Sequence, residues 1–174
     1  DRSLPRLKEI DLVFGGRMKT LISNAANIEE MIREADLVVG AVLVPGAAAP
    51  KLVTRAMLKH MKLGSVLVDV AIDQGGCFET SRPTTHQDPI YMVDGIVHYC
   101  VANMPGGVAR TATMALTNVT QPYTLELANK GWRMALLDNI YLRNGLNICY
   151  GNVTHQAVAD DLGYAWMDPM VALK

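Results

Sequence analysis

Asp36-Leu37-Val38-Val39-Gly40-Ala41-Val42 and Ser65-Val66-Leu67-Val68-Asp69-Val70-Ala71-Ile72-Asp73 are the stretches whose reading decides the fold. Each is a short apolar run rich in β-branched side chains, the pattern of a strand covered on both faces. Between them, residues 54–61 place Met57, Leu58 and Met61 on one face of a helix that Gly64 stops. On the amino side, Asn27 begins another helix, with Glu30 completing a capping-box-like pattern, and residues 18–22 alternate as a short strand. Strand, helix, strand, helix, strand at this spacing predicts an α/β chain built on a doubly wound parallel sheet with right-handed crossovers.

Residues 3–14 carry apolar side chains at helical spacing, with Ser3 as cap, Pro5 in the first turn and Gly15-Gly16 at the end. After Ile72 the chain turns polar through residue 89, and two brief extended segments follow at 90–93 and 96–101. Residues 107–129 are helix-compatible, with an interruption and kink expected near Pro122. Further helices are expected at 131–139 and 154–162, the second capped by Thr154. No internal repeat is visible. Length alone favours one domain with one good core.

Composition narrows the class. Of 174 residues, 50% are hydrophobic and 19% charged, with a net charge of −1, which excludes a disordered chain. A pI near 6.5 makes no electrostatic case for nucleic acid or an anionic membrane as partner. The longest apolar runs, 37–44 and 66–72, are too short to span a bilayer. Three cysteines with no CxxC fit a reducing compartment, so a cytoplasmic protein is expected. The chain opens at Asp1 rather than at Met, and is expected to be the interior of a longer protein.

Three places carry chemistry. Asp1 precedes the first helix; an acidic residue at a strand end accepts hydrogen bonds from an adenosine ribose in dinucleotide folds, and the alternative is a carboxylate answering the helix dipole. Asp73 follows the 66–72 run at the carboxyl end of a strand, where open α/β sheets hold ligands. There it can bind an ammonium, a ribose hydroxyl or a catalytic water, or serve only as a turn-former, while Gly75-Gly76 lets a ligand approach the backbone. Asn103-Met104-Pro105-Gly106-Gly107 is a second strand-to-helix crossing whose amide and helix start can meet an anion or carboxamide, or form a plain turn. His60, His86, His98 and His155 lack HxxxH spacing and pair with no cysteine at zinc intervals, so no metal is expected. The Met57, Met61, Met104 and Met114 set reads as packing. GxGxxG, P-loop and GxSxG patterns are absent from the sequence.

The runs Ala35-Asp36-Leu37-Val38-Val39-Gly40-Ala41-Val42-Leu43-Val44-Pro45-Gly46-Ala47 and Val68-Asp69-Val70-Ala71-Ile72-Asp73-Gln74-Gly75-Gly76-Cys77-Phe78-Glu79 closely resemble the alanine dehydrogenase family. So do Ser81-Arg82-Pro83-Thr84-Thr85, Tyr99-Cys100-Val101-Ala102-Asn103-Met104-Pro105-Gly106 and Ala115-Leu116-Thr117-Asn118. The resemblance covers nearly the whole chain and about the carboxyl-terminal half of the family's length. The α-subunit of the proton-translocating nicotinamide nucleotide transhydrogenase shares the architecture, but the Ala-Ile-Asp-Gln segment looks more like the dehydrogenase.

The resemblance implies a partial Rossmann-like domain over residues 1–122 and a helical tail over 123–174 that packs on an amino-terminal substrate domain. It implies reversible, NAD-dependent oxidative deamination of L-alanine to pyruvate and ammonia by a hexamer. It makes Asp73 catalytic, acting with a histidine and a lysine from an amino-terminal domain that nothing here matches, so the 174 residues alone are expected not to turn over. Carried over by motif, Asp1 and Arg6 contact the adenosine ribose and Ser23 lies near the adenine. Val42 and Leu43 flank the cofactor, and Val70, Ala71, Ile72, Asp73, Val101, Asn103 and Met104 surround the nicotinamide ribose and ring. The competing expectations are a non-catalytic cofactor-domain piece or oligomerisation module, and a relative of the transhydrogenase α-subunit.

Overall fold

The structure, a computed structural model, describes residues 1–44, 46 and 48–174. Pro45 and Ala47 of the first family-like motif lie outside the described residues. The chain divides into two compact units, one of residues 1–43 and 49–102, the other of residues 44–48 and 103–174.

The first unit opens with α1 (Leu4–Phe14), capped by the Ser3 hydroxyl accepting from the Arg6 N–H and ended at Gly15 with φ of 56°. Residues 18–22 do not form the expected strand: among the described residues only Asp1 pairs alongside, its backbone nitrogen donating to the Leu21 carbonyl at 3.2 Å and its carbonyl accepting from the Ser23 N–H at 2.8 Å. One residue of pairing is not a ladder. Helix α2 (Ala25–Glu34) starts two residues earlier than expected, because Asn24 rather than Asn27 supplies the capping oxygen, to the Asn27 N–H at 2.8 Å. Asn27 is spent instead on the Ile22 carbonyl.

A four-stranded sheet follows, from β1 (Leu37–Gly40), β2 (Val66–Asp69), β3 (Ile90–Val93) and β4 (Ile96–Tyr99), in the order β1-β2-β4-β3. β1, β2 and β4 run parallel, while β3 is antiparallel to β4. That hairpin turns on Asp94-Gly95, both at positive φ, the two-residue signal that matches the right-handed strand twist. β2 ends at Asp69, and residues Val70–Gln74 form a 3-10 turn, so Asp73 sits beyond the strand rather than at its last position. Full coverage of both faces does not hold either. Leu67 is fully buried, but Leu37 and Val39 are each 57% exposed, because β1 is an edge strand and the described residues cover only one of its faces. Helix α3 (Arg55–Leu58), capped by Thr54, is shorter than expected but buries Leu58 against Ile32, Val53, Phe78 and Ile96, with Met61 beside it.

The second unit contains α4 (Ala109–Lys130), α5 (Trp132–Asp138), α6 (Ile140–Asn144), a hairpin of β5 (Ile148–Cys149) and β6 (Asn152–Val153), α7 (Gln156–Leu162) and α8 (Pro169–Ala172). α4 is not interrupted at Pro122; proline removes one N–H from a ladder whose remaining turns hold. The hairpin and α6 carried no signal strong enough to be expected. Thr154 does not cap α7: its hydroxyl donates to the Leu146 carbonyl at 2.7 Å, and His155 takes the cap position. Among the described residues no helix is long and apolar enough to cross a membrane, and no group of three or more His, Cys, Asp or Glu could hold a metal ion.

Candidate functional site

At the carboxyl end of the parallel strands, the segments leaving β1 and β2 border an open pocket of about 230 Å³ lined by Ala41, Val42, Leu43, Val70, Ala71, Asp73 and Gln74. Five of the expected site residues therefore meet in one place. Ile72, within the same turn, is buried. Val101 is also buried, and bridges to Thr84 just past β4. The lining is small and apolar apart from Asp73 and Gln74, and among the described residues nothing pairs with the Asp73 carboxylate.

The turn that carries Asp73 is held tightly. Gly75 adopts the left-handed conformation with φ of 86°, and its N–H bonds the Ile72 carbonyl at 3.0 Å. The Lys51 ammonium donates to the carbonyls of Gly75 at 2.5 Å and Gly76 at 2.7 Å. Asp69, fully buried, accepts from the Cys77 N–H at 2.9 Å, the Phe78 N–H at 3.4 Å and the Ser81 hydroxyl at 2.5 Å. Burial, helped by the Asp69 charge, pushes the Cys77 thiol up to about 12, which keeps it a neutral donor to that carboxylate.

Beyond Ser81 the chain is clamped by a stack. The Arg82 guanidinium lies 4.0 Å above the Tyr91 ring, and Tyr91 stacks on His98 at 4.9 Å. The Tyr91 hydroxyl accepts from the Arg82 N–H and donates to the Thr80 carbonyl. His98 Nδ1 stands 3.0 Å from the Ile96 carbonyl, an acceptor only, so Nδ1 carries the proton and Nε2 accepts from the Thr80 hydroxyl at 2.7 Å. Burial holds His98 below the usual histidine range and therefore neutral.

The remaining expected residues are placed as follows. Asp1 and Ser23 are joined through the backbone, and Asp1 Oδ1 accepts from the Ser3 N–H at 2.7 Å, ahead of α1. The Arg6 guanidinium pairs with Glu9, one helical turn on, at 2.7 Å. In the second unit, Asn103 is left-handed at φ of 57° and begins a 3-10 turn of Met104–Val108, with Met104 half-buried. Asn103 also borders a cavity of about 520 Å³ with Pro105, Gly106, Ala109 and Leu116. Asp69 and Lys51 were missed by sequence reasoning. A lone carboxylate inside a valine run was the available signal for Asp69, since a buried charge requires donors.

The family model for the alanine dehydrogenase/PNT C-terminal domain matches residues 1–156. An alanine dehydrogenase from Halomonas elongata is 61% identical over 168 residues, 97% of this chain and 45% of that protein. One from Bacillus subtilis is 57% identical over 175 residues, 100% of this chain and 46% of that protein. The chain thus spans about half the length of the curated relatives it matches. A solved L-alanine dehydrogenase superposes with a TM-score of 0.80 at 49% identity, covering 94% of this chain and 45% of its own. A transhydrogenase from Sinorhizobium meliloti reaches a TM-score of 0.53 at 34% identity, covering 64% of this chain and 31% of its own.

Proposed function

The chain belongs to the family of alanine dehydrogenase/PNT C-terminal domains, and on that premise we propose that it is the nicotinamide-binding carboxyl-terminal half of an NAD-dependent L-alanine dehydrogenase. The observation that carries the reading is the free Asp73 carboxylate on a small apolar cavity at the carboxyl end of the strands. The reaction is L-alanine, NAD and water giving pyruvate, ammonium, NADH and a proton.

The lining residues suit the cofactor. Ala41, Val42, Leu43, Val70 and Ala71 offer a flat aromatic ring an apolar wall without bulk, and exclude water from one side of it. Bound there, the cofactor would supply the hydride acceptor for oxidation at the alanine Cα. Asp73 does the polar work: its carboxylate accepts hydrogen bonds from the substrate ammonium and from the water that replaces it, holding both near the reacting carbon. The resemblance adds the Asn103 carboxamide to the cofactor-binding residues and gives Asp1 and Ser23 its ribose and adenine end. Arg6, expected at the same ribose, pairs with Glu9 at the surface.

The same reading assigns the protein to the cytoplasm, makes residues 123–174 a helical tail docking on an amino-terminal substrate domain, and gives a hexameric assembly. Support for further packing comes from α4, which buries none of its residues and exposes Met114, Leu116, Val119 and Leu125. The test is an assay of the full-length protein. NADH formation that requires both L-alanine and NAD is expected. Hydride exchange between two nicotinamide nucleotides without alanine would point to the transhydrogenase, and NAD binding without either turnover would leave a non-catalytic cofactor domain.

A further inference from the structure

We propose that Asp69 is a positioning residue for Asp73: its buried carboxylate closes the turn that carries Asp73 and so fixes where that second carboxylate stands. The inference rests on the role given to Asp73 above. Asp69 is the last residue of β2 and is 0% exposed. No cation pairs with it among the described residues, so its charge is tolerated only because hydrogen-bond donors converge on it.

Every one of those donors comes from the chain after Asp73. Oδ2 takes the Cys77 N–H, the Phe78 N–H and the Ser81 hydroxyl, and Oδ1 faces the Cys77 thiol at 3.5 Å. The chain therefore leaves the strand at Asp69, passes through Asp73, and returns to the Asp69 side chain. Gly76 makes the return possible: a Cβ there would stand 2.7 Å from Asp69 Oδ2 and 2.7 Å from the Ser81 Cβ. Lys51 pins the far side through the Gly75 and Gly76 carbonyls, and the Ala49 N–H bonds the Gln74 carbonyl at 2.9 Å. Both flanks of Asp73 are anchored while its own carboxylate stays open to the cavity, and displacement of such a group by an ångström costs on the order of 100-fold in rate.

The test is a double-variant cycle in the full-length protein, with Asp69→Asn, Ser81→Ala and Asp73→Asn. The amide keeps an acceptor for the Cys77 N–H but loses the charge that grips three donors. Asp69→Asn should lower kcat at least about tenfold with KM for NAD within about twofold, and Ser81→Ala should lower it less. In the Asp73→Asn background, Asp69→Asn should cost less than about twofold further, because the group it positions is already disabled. Equal fold-losses in both backgrounds, the mark of a merely structural role, would overturn the proposal, as would wild-type kcat in folded Asp69→Asn. If Asp69→Asn does not fold, Ser81→Ala and Lys51→Met decide on the same cycle. Should Asp73→Asn leave turnover untouched, the role of Asp73 falls instead. Amide exchange at Gly75, Gly76 and Cys77 then judges Asp69 alone: acceleration of about tenfold or more in Asp69→Asn is expected, and unchanged exchange refutes the positioning.

Discussion

Gly40 stands so close to Cys77 that a Cβ on residue 40 would come within 2.2 Å of the Cys77 Sγ and 2.6 Å of the Phe78 ring. Gly40 ends β1 in register with Asp69 at the end of β2, so the missing side chain lets the Asp69-bound turn fold back over the sheet edge. Gly40→Ala should force that turn outward and cost about 1–3 kcal/mol of stability. Urea unfolding of the full-length protein measures it, and a variant as stable as wild type would mean the turn has room to move.

Asp73→Asn tests the proposed chemistry directly. The amide keeps the size of the side chain and removes its charge, and no described residue depends on that carboxylate for a hydrogen bond. Stability should therefore be unchanged while the turnover number falls well over tenfold, about 1.4 kcal/mol or more in the barrier. A near-wild-type rate would take Asp73 out of the mechanism.

In the proposed function, cofactor choice turns on Asp1. Its carboxylate accepts the Ser3 N–H ahead of α1, and in the proposed function it faces the ribose 2′ position, with Arg2 beside it and Arg6 in a surface ion pair with Glu9. NAD should bind more tightly than NADP, since the 2′-phosphate would face a like charge. Asp1→Ser in the full-length protein should weaken NAD several-fold and improve NADP. Equal affinity of the wild type for both nucleotides, measured by titration, would disprove the Asp1 assignment.

His98 makes stability depend on pH. It is fully buried and held neutral below the usual histidine range, so in acid the unfolded chain binds a proton that the folded chain resists. This contribution is present above about pH 6.5 and is lost as the pH falls from there toward the depressed folded value. Chemical unfolding between about pH 7.5 and pH 5.5 should show a steeper loss in wild type than in His98→Asn, and parallel curves would show that His98 protonates freely in the folded protein.

Local chemistry made much of this legible in the residue order. Ser3, Gly15 and Thr54 bound their helices through short-range caps, and the valine-rich runs located β1 and β2 because β-branched apolar clusters have few other uses. The family-like motifs then pointed to Val42, Leu43, Val70, Ala71 and Asp73, which the structure gathers around one cavity. Periodicity speaks only of neighbours along the chain, however, and two features depended on partners farther away. Asp69 is tolerable in a strand solely because Cys77, Phe78 and Ser81 return to it from across a turn. Coverage of β1 was set by what lies beside it in space, which no pattern within Leu37–Gly40 encodes. Strand and helix content follows from short-range preferences, whereas the pairing of buried charge with its donors is settled only when the chain closes on itself.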